Sequence, residues 1–506
     1  MYTDFSSPRA RLLLTAIILV SGIAFFETTA VNVATSAIQQ SFSANITLIQ
    51  WAINSYNLIL GVFILIMGSL SDRFGHKRLT LIGLILFTVS TGICGLTSNV
   101  WLFIAARVLQ GLGGAMMIPQ SIAIINASFS SRVRGTAIGI WGGMSGLMTI
   151  FGPFISGIII DIADWHWTFL VIVPFGIAAY FLVDRVVPET KLLTFTPIDW
   201  IGIFLLSGGL FSLSWGLIQA SSHRWEDLDI VLTVLLGIAM IVLFSWWQKK
   251  ARYPLIALNV ILQRNVFLAN LYTLQLYAVI SAIAFFAVIF FQQVAGYSAT
   301  KSGLAIMPVP VLIAAMSVFA GKIADRHGVR LPMITGALLV TIGMLSLLLV
   351  GVDAYYWIEI FPGMVLIGLG FGIFIPSLAK TALDVPPEYS GTASGVNNSV
   401  SRVAGLLGVA VFGAVLAVTY QRSLQRELTE MNLSESVVRS ITIQSSRLMQ
   451  IDLSSIPGPL ADEVRERMRQ AFLEAYRLQL GICAALAASG AVSAWYLRED
   501  RKQRQS

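Results

Sequence analysis

The chain has 506 residues, of which 56% are hydrophobic and only 12% charged, and its net charge is +7. A soluble domain carries about 25% charged residues, so this composition cannot clothe a water-facing surface. It also excludes an intrinsically disordered chain. The two cysteines, Cys94 and Cys483, both sit in apolar runs. That excludes a disulfide scaffold and reads as buried or lipid-facing thiols rather than a redox pair. The class is a polytopic membrane protein.

A membrane-crossing helix needs about 20 apolar residues. Fourteen such runs are legible, beginning near Leu12, Leu48, Leu79, Val100, Gly135, Thr168, Ile198, Ile230, Val266, Ser302, Leu331, Trp357, Gly391 and Ala471. They are continuously apolar, which argues helices rather than the alternating strands of a barrel. The first run follows Arg9 and Arg11 as a signal peptide would. It is too long for that role and contains Glu27, so it reads as a retained span. The basic loop residues fall mainly on one side, including Arg73, Lys77, Arg132, Arg185, Lys249, Lys322 and Arg498. The positive-inside rule then predicts that both termini are cytoplasmic. This bias accounts for the net charge, so no nucleic-acid partner is needed.

Taken in chain order, span one carries Glu27 deep in its apolar run. Charges inside spans are expensive and mark function by default, and Glu27 reads as a proton-carrying carboxyl. The beginning of span two offers Trp51, Asn54, Tyr56 and Asn57. With Phe25, Gln120, Trp141 and Gln292 these could line a substrate cavity. After span two comes a loop with Gly68, Asp72, Arg73, Gly75, Lys77 and Arg78. Span four holds Arg107, a cation that must find a partner, read as a modulator of Glu27. Span five is rich in small residues and contains Gly152, Pro153, Ser156 and Gly157, read as a tightly packed hinge. Spans seven and eight follow. After span ten a second loop brings Gly321, Asp325, Arg326, Gly328 and Arg330.

The two loops share the pattern G-x-[LI]-x-D-R-x-G followed by basic residues. Two copies in equivalent loops imply duplicated halves, the usual design of secondary transporters. The expected organisation is 1–195 for one six-helix half, 196–260 for two inserted helices, and 261–506 for the second half. The glycines permit a tight turn, the Asp can cap a helix, and the basic residues can meet exposed carbonyls. Such contacts can hold one conformation and break in another. Span thirteen carries Arg402, a weaker counterpart of Arg107 and a further candidate for the lining of the substrate cavity. The segment from about 420 to 470 reads as a long outer loop, nearly neutral in charge and a possible contact for an outer adaptor protein. Periodicity over 460–480 suggests that the last helix extends beyond the bilayer. Asp161 and Glu359, near span ends, read as solvated boundary charges.

These motifs resemble the major facilitator superfamily, and within it the fourteen-span drug:proton antiporter branch. The loop from Gly68 to Leu79 matches its signature loop. The span-four run from Arg107 to Ala115 matches closely, and the segment from Gly152 to Gly157 resembles its antiporter motif. Span two from Trp51 to Tyr56 and span thirteen from Gly391 to Gly408 also resemble that branch. Ser156 stands where the family usually has a glycine, Met148 replaces another, and Glu27 stands where the branch typically has Asp. The resemblance implies an all-α membrane protein of the major facilitator fold and a proton-coupled exporter of hydrophobic, cationic or amphipathic small molecules in a cell membrane. A proton gradient is the energy source, with no cofactor. The alternatives are the same fold exporting a specific lipid, fatty acid or metabolite and, more remotely, a non-transporting receptor or scaffold. The four histidines show no metal-binding spacing. No phosphate-binding glycine loop and no nucleophile–base constellation point to an enzyme.

Overall fold

The computed structural model describes residues 7–189, 199–220, 227–255, 261–385, 390–431 and 458–498, with 433, 435–445, 448–451, 453 and 456 between the last two. Fourteen helical columns run through them, matching the fourteen apolar runs. Thirteen are long and apolar enough to cross a membrane. The other is α5 (Ser131–Ile162), whose apolar part is Leu147–Ile162.

The first six columns are α1 (Pro8–Ser41), α2 (Ile46–Phe74), α3 (His76–Leu96), α4 (Val100–Ser128), α5, and the broken pair α6 (His166–Leu170) and α7 (Ile172–Val186). Side chains start several of them. Asn45 caps α2 by accepting from Leu48 N at 2.9 Å, and Asn99 caps α4 by accepting from Trp101 N at 2.8 Å. In this bundle α1 packs on α4, α5 and α7, α2 packs on α4, and α3 packs on α4 and α7.

Two columns follow, α8 (Trp200–Gln219) and α9 (Leu228–Lys250). Asp199 caps α8 through Gly202 N at 2.8 Å, and also accepts from Trp247 Nε1 and Gln248 Nε2 of α9 at 2.8 and 2.7 Å. That carboxylate ties the hairpin together at its base.

The second bundle comprises α10 (Arg264–Ile289, continued by a π-helical turn at Phe290–Val294), α11 (Ala299–Ile306), α12 (Pro308–His327), α13 (Arg330–Leu347), α14 (Phe361–Ala382, entered through a π-helical turn at Tyr356–Ile360), α15 (Ser390–Glu430), α16 (Glu435–Ile443) and α17 (Gly458–Trp495). Pro308 follows Met307, and its missing N–H marks the break between α11 and α12. Within this bundle α10 packs on α15 and α17, and α14 packs on α12 and α13.

The segment from about 420 to 470 is not the open loop that its charge suggests. With 41 residues α15 is about 60 Å long, roughly twice the hydrocarbon thickness, and α17, with 38 residues, is similar. Their ends form a hairpin crossed by ion pairs. Arg426 pairs with Glu474, and Arg467 pairs with Glu427 at 2.8 Å. Two of the segment's arginines thus find carboxylates across the hairpin, while Arg465 pairs with Asp462 along α17 and Arg469 with Glu466 and Asp353. The extension expected of the last helix is present. The short α16 and the buried Leu448 and Ile451 fill the bend, where the Tyr420 hydroxyl donates to Leu448 O at 3.1 Å.

Both repeated loops turn on their second glycine. Gly75 has φ +94° and Gly328 φ +83°, values that residues with a Cβ rarely adopt. The backbone around Asp72, Arg73, Asp325 and Arg326 is helical, but their side chains lie outside the described residues. We call the end of the molecule that carries these glycines the turn end.

Candidate functional site: a cavity between the bundles beside a buried ion pair

A cavity of about 450 Å3 lies between the two bundles. Helix α1 contributes Phe25, Thr28, Thr29 and Asn32, α2 contributes Asn57, and α5 contributes Pro153. From the second bundle come Tyr277 of α10 and Asn398, Ser401 and Arg402 of α15. The spacing Asn398–Ser401–Arg402–Gly405 sets one polar stripe of α15 against the cavity, and Thr28–Asn32 does the same for α1.

Glu27 sits one residue from Thr28, on a different side of α1. It forms an ion pair with Arg107, and both side chains are buried, at 2% and 0% exposure. Arg107 Nε donates to Ala52 O at 3.0 Å and Nη1 to Gln110 Oε1 at 2.6 Å. Gln110 in turn donates to Thr91 Oγ1 at 2.7 Å. The guanidinium carbon lies 4.6 Å from the centre of the Tyr56 ring, a cation–π contact. The Tyr56 hydroxyl accepts from Thr28 Oγ1 at 3.5 Å. The pair is thus walled off from the cavity, with Tyr56 and Thr28 between them. One Glu27 oxygen and Arg107 Nη2 have no hydrogen-bond partner among the described residues.

Several residues expected at a cavity lie elsewhere. Trp51 packs on Phe211 and Trp215 of α8, with ring centres 5.9 and 5.4 Å away. Gln120 braces the Gly75 turn, donating to Met67 O at 2.9 Å and meeting His76 Nδ1 at 3.1 Å. Trp141 donates to Ser21 Oγ at 2.9 Å inside the first bundle. Gln292 donates to Val33 O at 3.0 Å, linking the bundles beyond the cavity. Asn54 is buried in α2, and its amide atoms have no partner among the described residues. A tryptophan or amide in an apolar run carries no mark of the face it will occupy, which is why sequence could not sort these. Phe25, Asn57 and Arg402 do line the cavity.

In the turn loops, Lys77 Nζ donates to Asp184 O at the end of α7 and lies 3.3 Å from the Asp184 carboxylate. Arg78 Nε is 3.9 Å from Glu189, a longer and exposed approach. The Arg330 guanidinium lies over the Trp495 ring of α17 at 4.5 Å. Gly68 and Gly321 lie in α2 and α12, one helical stretch before the turns.

The end opposite the turns is closed by contacts between the bundles. Asp161, read from sequence as a solvated charge, accepts from Ala299 N and Thr300 N at 3.0 and 2.9 Å, where α11 begins. A carboxylate there satisfies free N–H groups at a helix N-terminus. A Cβ on Gly157 would stand 2.7 Å from Ala299 O, so only glycine allows α5 this close to α11. On the other face of α5, Gly152 packs against Thr29 and Phe26 of α1, and Ser156 Oγ donates to Ala30 O at 3.0 Å. Gln293 donates to Gln39 at 2.9 Å, and Gln450, from the bend after α16, donates to Ser36 O at 3.2 Å. Gln110, Thr91 and Asp161 were missed. Gln110 could have been found, since it lies one helical turn from Arg107 on the same face.

Two helical bundles around a shared cavity, with a charge pair buried in one of them, define a multi-pass membrane carrier. The profile of the Major Facilitator Superfamily matches residues 17–409, and the chain belongs to that family. It is 30% identical over 481 residues to the tetracenomycin C resistance and export protein of Streptomyces glaucescens, covering 94% of this chain and 89% of the relative. It is 28% identical over 406 residues to the multidrug resistance protein Stp of Mycobacterium tuberculosis, covering 80% and 75%. Among solved structures, a bacterial homologue of the human lysosomal transporter Spinster superposes with a TM-score of 0.63 at 15% identity, over 99% of both chains. At that identity the likeness concerns the fold.

Proposed function

We propose that this chain exports amphiphilic small molecules across a cell membrane in exchange for protons. The observation that carries the proposal is the cavity between the bundles with the Glu27–Arg107 pair buried beside it. Its size lies within the range of drug-sized sites, about 300–1,000 Å3. The names of its relatives, resistance and export proteins, point to the same use.

In this reading both termini and the turn end are cytoplasmic, as the basic loops suggest. With its far end sealed by Asp161, Gly157 and the glutamine contacts, the cavity takes substrate from the cytoplasmic side. The bundles then rock, and the far seal opens. A proton reaching Glu27 neutralises its carboxylate and releases Arg107, which remains cationic. The freed guanidinium turns toward new partners, and Tyr56 and Thr28 carry that change to the cavity wall. Proton and substrate thus favour different states of one equilibrium, which is the thermodynamic content of coupling.

The test is a proteoliposome assay in which substrate movement drives a pH change. Purified carrier is reconstituted with a panel of amphiphilic dyes, and internal pH and dye are followed together. The expected result is counter-movement of dye and protons that Glu27→Gln abolishes. Dye flux without any proton movement overturns the coupling, and no flux with any dye overturns export.

A further inference from the structure

The charge that faces the substrate is not the one prominent in the sequence. Glu27 is absorbed by Arg107 and does not line the cavity. Of the described residues that do line it, Arg402 is the only charged one. No carboxylate stands within ion-pair distance of Arg402 among the described residues, and its neighbours that can ionise are the phenols of Tyr56 and Tyr277. Its Cβ lies against α2, 3.1 Å from where a Cβ on Gly61 would stand, so the root of the side chain is fixed at the seam between α2 and α15.

From this geometry we infer that the cavity selects acidic amphiphiles, with an aromatic or aliphatic body and one carboxylate or phenolate that pairs with Arg402. The inference rests on the export reading and specifies its substrate class. An isolated guanidinium in a low-dielectric cavity is costly unless it is hydrated or paired. Water can serve while the cavity is open. Once the bundles close over a ligand, the ligand must supply the counter-charge. A carboxylate does so through two parallel N–H···O bonds, the geometry for which arginine is suited. A cationic ligand would lie beside an uncompensated like charge. Around Arg402 the wall is mixed. Asn398, Ser401 and Asn57 can hold further polar atoms, and Phe25, Phe285 and Ile280 can hold the apolar body.

The test uses three compounds that share one ring system: 2-naphthoate, 2-naphthalenemethanol and 2-naphthylmethylammonium. Their binding to the full-length carrier in nanodiscs is measured by calorimetry against empty nanodiscs, and their counterflow is measured in proteoliposomes. Hydrogen bonds to charged groups contribute enough to predict about a 10- to 100-fold preference for naphthoate over the alcohol. Arg402→Gln should lower naphthoate affinity about 10- to 100-fold and so remove that preference, and Arg402→Lys should keep part of it. Equal affinities, a preference for the ammonium compound, no measurable naphthoate binding, or an unchanged preference in Arg402→Gln would each overturn the inference. Should Arg402→Gln fail to fold, the wild-type ranking and Arg402→Lys still decide. Counterflow of the alcohol or ammonium compound without naphthoate preference would leave the export reading standing, whereas absence of counterflow in all three arms counts against both.

Discussion

Replacing Glu27 by Gln removes one charge from a pair with almost no contact with solvent. The side chain keeps its length and an acceptor oxygen, so steric change is small. The remaining cation is the problem. Breaking a buried ion pair typically costs about 3–5 kcal/mol, because one charge is left uncompensated. Here Arg107 retains Ala52 O, Gln110 and the Tyr56 ring, so the low end, about 3 kcal/mol, is expected. A second substitution, Arg107→Gln, removes the stranded cation, and replacing both members of a buried pair is often close to neutral. The double variant should therefore recover at least half of the loss. The assay is the thermal midpoint of wild type, both single variants and the double variant in one detergent, with proton-driven export measured on the same preparations. Both variants that lack Glu27 should fail to export against a gradient, although their stabilities differ. Stabilities that simply add, with no coupling between the sites, would refute the pairing. Export at a near-normal rate by Glu27→Gln would refute its role in coupling.

Two further outcomes are expected. At the far seal, Asp161→Asn weakens the bonds to the start of α11 by roughly 1 kcal/mol, and Gly157→Val forces α5 and α11 apart. Both should raise the accessibility of cysteines placed in the cavity to reagents added on that side, with the larger effect for Gly157→Val; unchanged labelling of the Gly157 variant would show that this contact does not gate. For topology, Ser440→Cys, exposed in α16, should react with an impermeant maleimide on intact cells, and Arg78→Cys only after permeabilisation; the opposite pattern would invert the orientation.

How legible was this architecture? The spans were, because about 20 apolar residues in a row have few other uses. The turn glycines were legible because a repeated loop preserves the positions where φ must be positive, and Gly75 and Gly328 both occupy them. The segment from 420 to 470 misled because Arg426 and Arg467 find carboxylates across the α15–α17 hairpin, and no local pattern reports a partner 40 residues away. Glu27 and Arg107 were visible as costly charges in apolar runs, but their contact joins residues 80 positions apart. With Glu27 paired to Arg107, Arg402 is the one charged side chain lining the cavity among the described residues. Asp161 looked like an ordinary helix-end acid until α11 was brought to it.

The inserted hairpin has a consequence for how such a molecule meets the bilayer. Helix α8 packs on both α2 and α15, and one apolar cluster joins Val62 of α2, Leu210 of α8 and Leu406 of α15. The α2–α15 seam is therefore backed by α8, whereas among the described residues α5 meets α12 directly and through α11. The carrier has a back and a front. The inserted hairpin thus makes the two seams unequal, since α8 backs the one between α2 and α15.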